Sequence, residues 1–196
     1  MRATGTAYRF TVDDLARMNP RPLDDTRYEI IDGELHVSTQ PHPFHQFTSL
    51  SFGYALRSWD ATGGGVTLVA PGVVFAPDDA AAPDVAWFQS RESFARAFGP
   101  DEKLHAADLV VEVLSPGREN ERRDRELKLA MYSRWRVKEY WLADWRDRTV
   151  RVYRQGEDGL ALAATLGEDD ALTSPLLPGF AVRVGGLFPN LELPAP

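Results

Sequence analysis

The segment Asp108-Leu-Val-Val-Glu-Val-Leu114 constrains the fold of this chain more than any other. It is a nearly continuous apolar run of strand length, as expected for a central strand covered on both faces. Ser115-Pro116 ends it and turns the chain toward the next element. One carboxylate, Glu112, interrupts the run. A charge among aliphatic side chains carries a large desolvation cost unless it is paired or holds a metal.

Around this strand the periodicity alternates between two and 3.6. Thr11 to Met18 reads as a short helix capped by Thr11 and ended by Asn19, Pro20 and Pro22. Tyr28 to Val37 reads as a hairpin turning at Asp32-Gly33. Pro43 to Ala61 reads as a long helix broken by Gly63-Gly64-Gly65, and strands are expected at Val66–Phe75 and Asp84–Phe88. After the central strand, Arg118 to Trp135 reads as a helix. Val137–Ala143 and Thr149–Tyr153 follow as strands around a turn at Asp147, Leu160–Thr165 extends the meander, and a Pro-rich tail closes the chain. The order predicts an α/β fold, bordering on α+β, with a mixed sheet and helices packed on it. At 196 residues one domain is expected, with its core over about residues 10 to 190.

Composition narrows the chemistry. With no cysteine, disulfides, thiolate zinc sites and a cysteine nucleophile are excluded. No stretch approaches the roughly 20 apolar residues of a membrane span, and MRATGTAYRF lacks the apolar core of a secretory signal. A soluble, cytoplasmic protein is expected. His36, His42, His45 and His105 form no H-E-x-x-H pair, and there is neither a Walker A loop nor a G-x-S-x-G elbow.

Three side chains then form an ordered set. Asp84 opens a strand, Glu112 interrupts the most apolar strand, and Lys128 stands on the helix that follows. Two carboxylates on neighbouring strands supply hard oxygen ligands for magnesium or manganese, which keep some waters and complete their shell on substrate phosphate. A nearby ammonium would position an attacking water and stabilise the charge that builds on phosphorus. Each residue also has a plainer reading: Asp84 as a turn residue, Glu112 as half of an ion pair, Lys128 as a solvated helix residue.

Glu29 and Glu34 on the hairpin are candidates for a further acid of the site, with Glu29 as a wall residue. His45 is a candidate for phosphate contact or proton transfer against a structural role, and Tyr132, one turn beyond Lys128, for orienting that lysine against core packing. Asp124 reads as an ion-pair partner of Lys128.

Net charge is −7, unfavourable for binding a polyanion. Yet over the segment Arg118 to Arg136 the seven cations Arg118, Arg122, Arg123, Arg125, Lys128, Arg134 and Arg136 outnumber the four acids. Arg122, Arg123 and Arg125 are therefore the candidate nucleic-acid contacts, and an ion-paired solvated face is the alternative.

The segments YEIIDGELHVS (28–38), the helix around His45, APDVAWF (82–88), DLVVEVLSP (108–116), RDRELKLAMY (123–132), VKEYWLAD (137–144), Arg151-Val-Tyr153 and PGFAVRVGGLF (178–188) together resemble the Uma-two family of endonucleases in the PD-(D/E)XK superfamily. The resemblance spans about residues 10 to 190. It implies a restriction-endonuclease-like fold, Asp84 and Glu112 as metal ligands, and a DNA substrate. The lysine expected two residues after the second acid is replaced by Leu114, and Lys128 is the matching position from which a long stem reaches back.

Two further functions stay open: a catalytically idle nuclease fold acting as a binding or assembly module, and cleavage of RNA or a branched nucleic acid. Cutting both strands of a duplex favours a two-fold homodimer, and Trp135, Trp141 and Trp145 are not all expected in the core.

Overall fold

The computed structural model describes residues 8–18, 26–60 and 63–190. Asn19, Pro20, Pro22 and Ala61, expected at the ends of two helices, lie outside the described residues.

A short helix α1 (Val12–Arg17) is opened by Thr11 and Asp14 in a capping box. The expected hairpin follows as β1 (Arg27–Ile31) and β2 (Glu34–Ser38), with Asp32 and Gly33 both at positive φ as a tight two-residue turn requires. Helix α2 (Pro43–Trp59) starts with proline in its first turn and with His42, whose Nδ1 accepts the Phe44 N–H at 3.1 Å.

The strand expected at Val66–Phe75 is two strands in two sheets. Ala70 takes a positive φ of 49° and Pro71-Gly72 follows, so β3 (Val66–Val69) ends and β4 (Val73–Ala76) leaves in another direction. β5 (Asp79–Ala81) pairs with β4 and, through Ile30↔Ala80, with β1. The result is a four-stranded antiparallel sheet in the order β2-β1-β5-β4. β6 (Val85–Phe88) is followed by a helix not foreseen from the sequence, α3 (Arg91–Ala97), which Ser90 caps by accepting the Ser93 N–H.

The central strand is β7 (Leu109–Val113), buried at every position. Beyond it, the helix expected at Arg118–Trp135 is interrupted. α4 (Arg118–Arg122) passes through a π-helical turn at Arg123–Leu127 into α5 (Lys128–Arg134). β8 (Glu139–Asp144), β9 (Thr149–Gly156) and β10 (Gly159–Leu166) complete the six-stranded sheet, ordered β10-β9-β8-β7-β6-β3. Only β7 and β8 run parallel; the other pairs are antiparallel. The expected tail is instead a hairpin of β11 (Ala171–Ser174) and β12 (Leu177–Arg183) with a 3-10 turn at Val184–Leu187.

Alternation along the strands sorts two cores. Leu109, Val111, Val113, Trp141 and Ala143 face Phe52 and Leu56 of α2 and Leu172, Leu177 and Phe180 of the last hairpin. Val110, Leu114, Tyr140 and Leu142 face Met131 and Tyr132 of α5, and beyond them Ile31, Phe75 and Ala81 of the smaller sheet. Each buried Val or Leu contributes about 1.5–3 kcal/mol, enough together to offset one strand carboxylate whose charge is paired. Glu112 shares the face of Val110 and Leu114, and so points at α5 and the smaller sheet.

Candidate active site

Asp84 directly precedes β6, and the pairing Val85↔Val111 brings it opposite Glu112 on β7. Opposed residues of an antiparallel pair share a face, so both carboxylates enter the same space. Asp84 is fixed from three sides. Its Oδ2 accepts the Val113 N–H at 2.8 Å and lies 3.2 Å from His45 Nε2, and Arg27 Nη1 donates to Oδ1 at 3.3 Å. Arg27 also donates to the Ala82 carbonyl, at 3.1 Å.

Lys128 enters from the opposite wall and is 1% exposed. Its Nζ lies 2.9 Å from Glu29 Oε1, 3.0 Å from Glu112 Oε1 and 3.8 Å from Asp124 Oδ1. The Tyr132 hydroxyl donates to the same Glu112 oxygen at 2.6 Å. Glu29 is held by the Ala82 N–H at 2.9 Å, and Asp124 by Arg123 Nε at 2.8 Å.

The π turn explains how one helix delivers these groups. Four residues of α-helix overshoot a full turn by about 40°, so Asp124, Lys128 and Tyr132 would fan around a regular helix. A π turn carries more residues per turn and absorbs one step of that drift, and such turns concentrate at functional sites. All three side chains are buried on the site face.

The cavity they enclose measures about 90 Å³ and is lined by Arg27, Glu29, His45, Asp84, Glu112, Arg123, Asp124 and Lys128, with the less buried Ser38, Thr39, Pro41 and Ser115 also on its wall. That volume is large enough for several waters. Four acids thus face three permanent cations and a histidine. Burial, together with Asp84, Glu29 and Asp124, pushes the Glu112 carboxyl up to about 7 against the pull of Lys128. Burial opposes the charge of Lys128, but Glu112, Glu29 and Asp124 outweigh it and raise the ammonium pKa. Glu112 rises chiefly through burial, and Lys128 through the three acids around it. Burial is likewise outweighed at Glu29, by Lys128 and Arg123, and at Asp84, by His45 and Arg27; both stay below the usual carboxylate range. At His45 burial is outweighed by the Asp84 carboxylate, and its pKa is raised.

Asp84, Glu112, Lys128, Glu29, His45 and Tyr132 therefore meet in one place. Glu34 does not: it pairs with Ile31 beside the hairpin turn and is exposed, too far along β2 to reach the cavity. The three arginines do not form one basic surface either. Arg123 is buried on Asp124, Arg125 turns to Asp144 at 3.2 Å, and only Arg122 is exposed, beside Glu126. Ion pairing inside the helix and to the end of β8 separates them. Arg27 was missed, although it stands two residues before Glu29 and so on the same strand face, a signal open to inspection. Of the three tryptophans, Trp141 is fully buried against Phe180 and is no surface residue.

A six-stranded mixed sheet with helices on both faces and an acid pair at adjacent strands places the fold in the restriction-endonuclease-like class. Residues 12–185 match the family model of Uma2, described as putative restriction endonuclease, and the chain belongs to that family. The fold is also similar to the crystal structure of a putative nuclease belonging to DUF820 from Anabaena variabilis, with a TM-score of 0.71 and 17% identity over 91% of this chain and 97% of that one. No protein of curated function matches the chain. Among the described residues no helix is long and apolar enough to cross a membrane.

Proposed function

We propose that this protein is a divalent-metal-dependent endonuclease that hydrolyses phosphodiester bonds of DNA, with Asp84, Glu112 and Lys128 as its catalytic residues. The observation that carries the reading is the Lys128 ammonium held 3.0 Å from Glu112, within the cavity that Asp84 also lines.

The donor set suits magnesium or manganese. Asp84 and Glu112 offer carboxylate oxygens from opposed positions of adjacent strands in an acid-rich cavity. A two-carboxylate site matches an ion that keeps waters and takes phosphate oxygens as its other ligands. When bound, such an ion supplies a more acidic water and neutralises charge on the phosphate.

The chain's own groups do the rest. Lys128, fixed between Glu29 and Glu112, presents a permanent positive charge toward the water and the oxygens of the pentacovalent state. Tyr132 orients Glu112. Arg27 and His45, both on Asp84, stand where a phosphate oxygen would need donors.

A second reading has its own support: Lys128 and Tyr132 already satisfy Glu112 Oε1, so the network is complete as a self-paired ion cluster. Such a site would belong to a binding module on the same fold. Incubating plasmid, single-stranded DNA and RNA with magnesium or manganese separates the two. Cleavage lost in Asp84→Asn and in Glu112→Gln, both still folded, is the expected result. Absence of any divalent-dependent cutting by the wild type would leave the binding module.

A further inference from the structure

Beside the mouth of the cavity lies an aromatic group with no part in the chemistry above. Pro41 and Thr39 line the cavity, and the next residue, His42, stacks on Trp145 at 4.9 Å with the rings 10° from parallel. Phe44 meets both edge-on, at 5.3 Å from His42 and 5.5 Å from Trp145. The three centroids form a nearly equilateral triangle, so Phe44 braces the stacked pair from its side. Trp145 packs inward against the core and His42 is exposed. The imidazole is also fixed in rotation, because its Nδ1 accepts the Phe44 N–H. In the neutral ring the proton is then on Nε2, a donor left over for a phosphate or base edge.

We infer that His42, backed by Trp145 and braced by Phe44, is a stacking shelf for an unpaired base of the nucleic-acid substrate, next to the nucleotide whose phosphate enters the cavity. This rests on reading the cavity as a phosphodiesterase site. Inside a duplex both faces of a base are already stacked. Only a single strand, a splayed end or an extruded nucleotide can offer a face to a flat exposed ring. The shelf therefore deepens the substrate class to nucleic acid with unpaired nucleotides at the cut.

The test separates the ring from its helix-capping role. His42→Asn keeps a good cap and removes the face, whereas His42→Phe keeps the face and removes the cap. Binding of fluorescein-labelled oligo-dT, and of the same strand annealed to its complement, is measured by anisotropy in EDTA. His42→Asn is expected to weaken single-strand binding about tenfold and to change duplex binding less than about twofold, with His42→Phe close to wild type on both. Unchanged single-strand affinity in His42→Asn, equal losses on both substrates, or a wild type that prefers duplex or binds neither, each overturns the shelf. Cleavage with magnesium is scored separately. A shelf effect without cleavage leaves the binding site and removes the nuclease, and cleavage without a shelf effect does the reverse.

Discussion

The Tyr132 hydroxyl donates to Glu112 Oε1 at 2.6 Å, on the oxygen that also receives Lys128. Glu112 is thus aimed by two groups of one helix. Tyr132→Phe keeps the ring among Phe75 and Tyr140 and removes only this bond. A loss of about 1.5–3 kcal/mol in urea unfolding is expected for a buried bond to a charged acceptor. In cleavage assays kcat should fall with KM nearly unchanged; a change confined to KM would assign Tyr132 to substrate binding instead.

Lys128→Met removes the one cation shared by Glu29, Glu112 and Asp124 while conserving the stem. Breaking a buried pair costs about 3–5 kcal/mol, so the midpoint of denaturation should drop strongly and cleavage should vanish. A variant as stable as wild type would mean that the ammonium is not seated as described. Adding Glu112→Gln should recover part of the stability, because one of the orphaned charges is then gone, but none of the activity.

If Asp84 and Glu112 hold a divalent ion, saturating magnesium should raise the melting temperature of the wild type. Binding to the folded state alone is worth about 2.7 kcal/mol at a hundredfold excess over Kd. The shift should disappear in Asp84→Asn and in Glu112→Gln. An equal shift in all three proteins would place the ion elsewhere.

Away from the site, Asp108 gives a pH dependence with a definite sign. Burial alone would raise its pKa, but Lys138 at 2.8 Å, the Ser93 hydroxyl and the Gln89 N–H at 2.9 Å outweigh it and hold the carboxyl below its ordinary value. Its folded pKa lies below the unfolded one. The stability it contributes is present above the unfolded value, about 3.9, and is lost as pH falls through the lower folded value. Urea midpoints of Asp108→Asn should therefore be lower than wild type near neutrality and converge with it in acid. A constant gap across that range would rule out the carboxylate as the cause.

Much of the site was legible before folding. The apolar run around Glu112, the Asp-Gly hairpin and the helix carrying Lys128 are local patterns, set by backbone preferences and by the period at which apolar side chains recur. Glu112 stood out because a carboxylate in a buried strand needs a partner, and that requirement does not depend on which partner is found. The direction of each long side chain was not legible. Whether Lys128 faces solvent or Glu112 is decided by the rotation of its helix against the sheet, which the π turn and the packing of Met131 and Tyr132 determine.

The same limit explains the rest. Glu29 and Glu34 sit on paired strands and share a face. Only the β1–β5 contact, which brings Ala82 to Glu29, makes one a wall of the cavity and leaves the other in water. Arg122, Arg123 and Arg125 are near neighbours in the chain, yet they go to solvent, to the site and to the end of β8, because each pairs with the acid nearest in space. The break of Val66–Phe75 at Ala70 and the capture of β4 by a second sheet are tertiary too, since an extended run carries no mark of which edge it will join. By itself the sequence determined the elements, the acid pair and the candidate lysine. The tertiary structure alone decided which charges share one cavity, because Coulomb attraction and desolvation depend on distance in space rather than on separation along the chain.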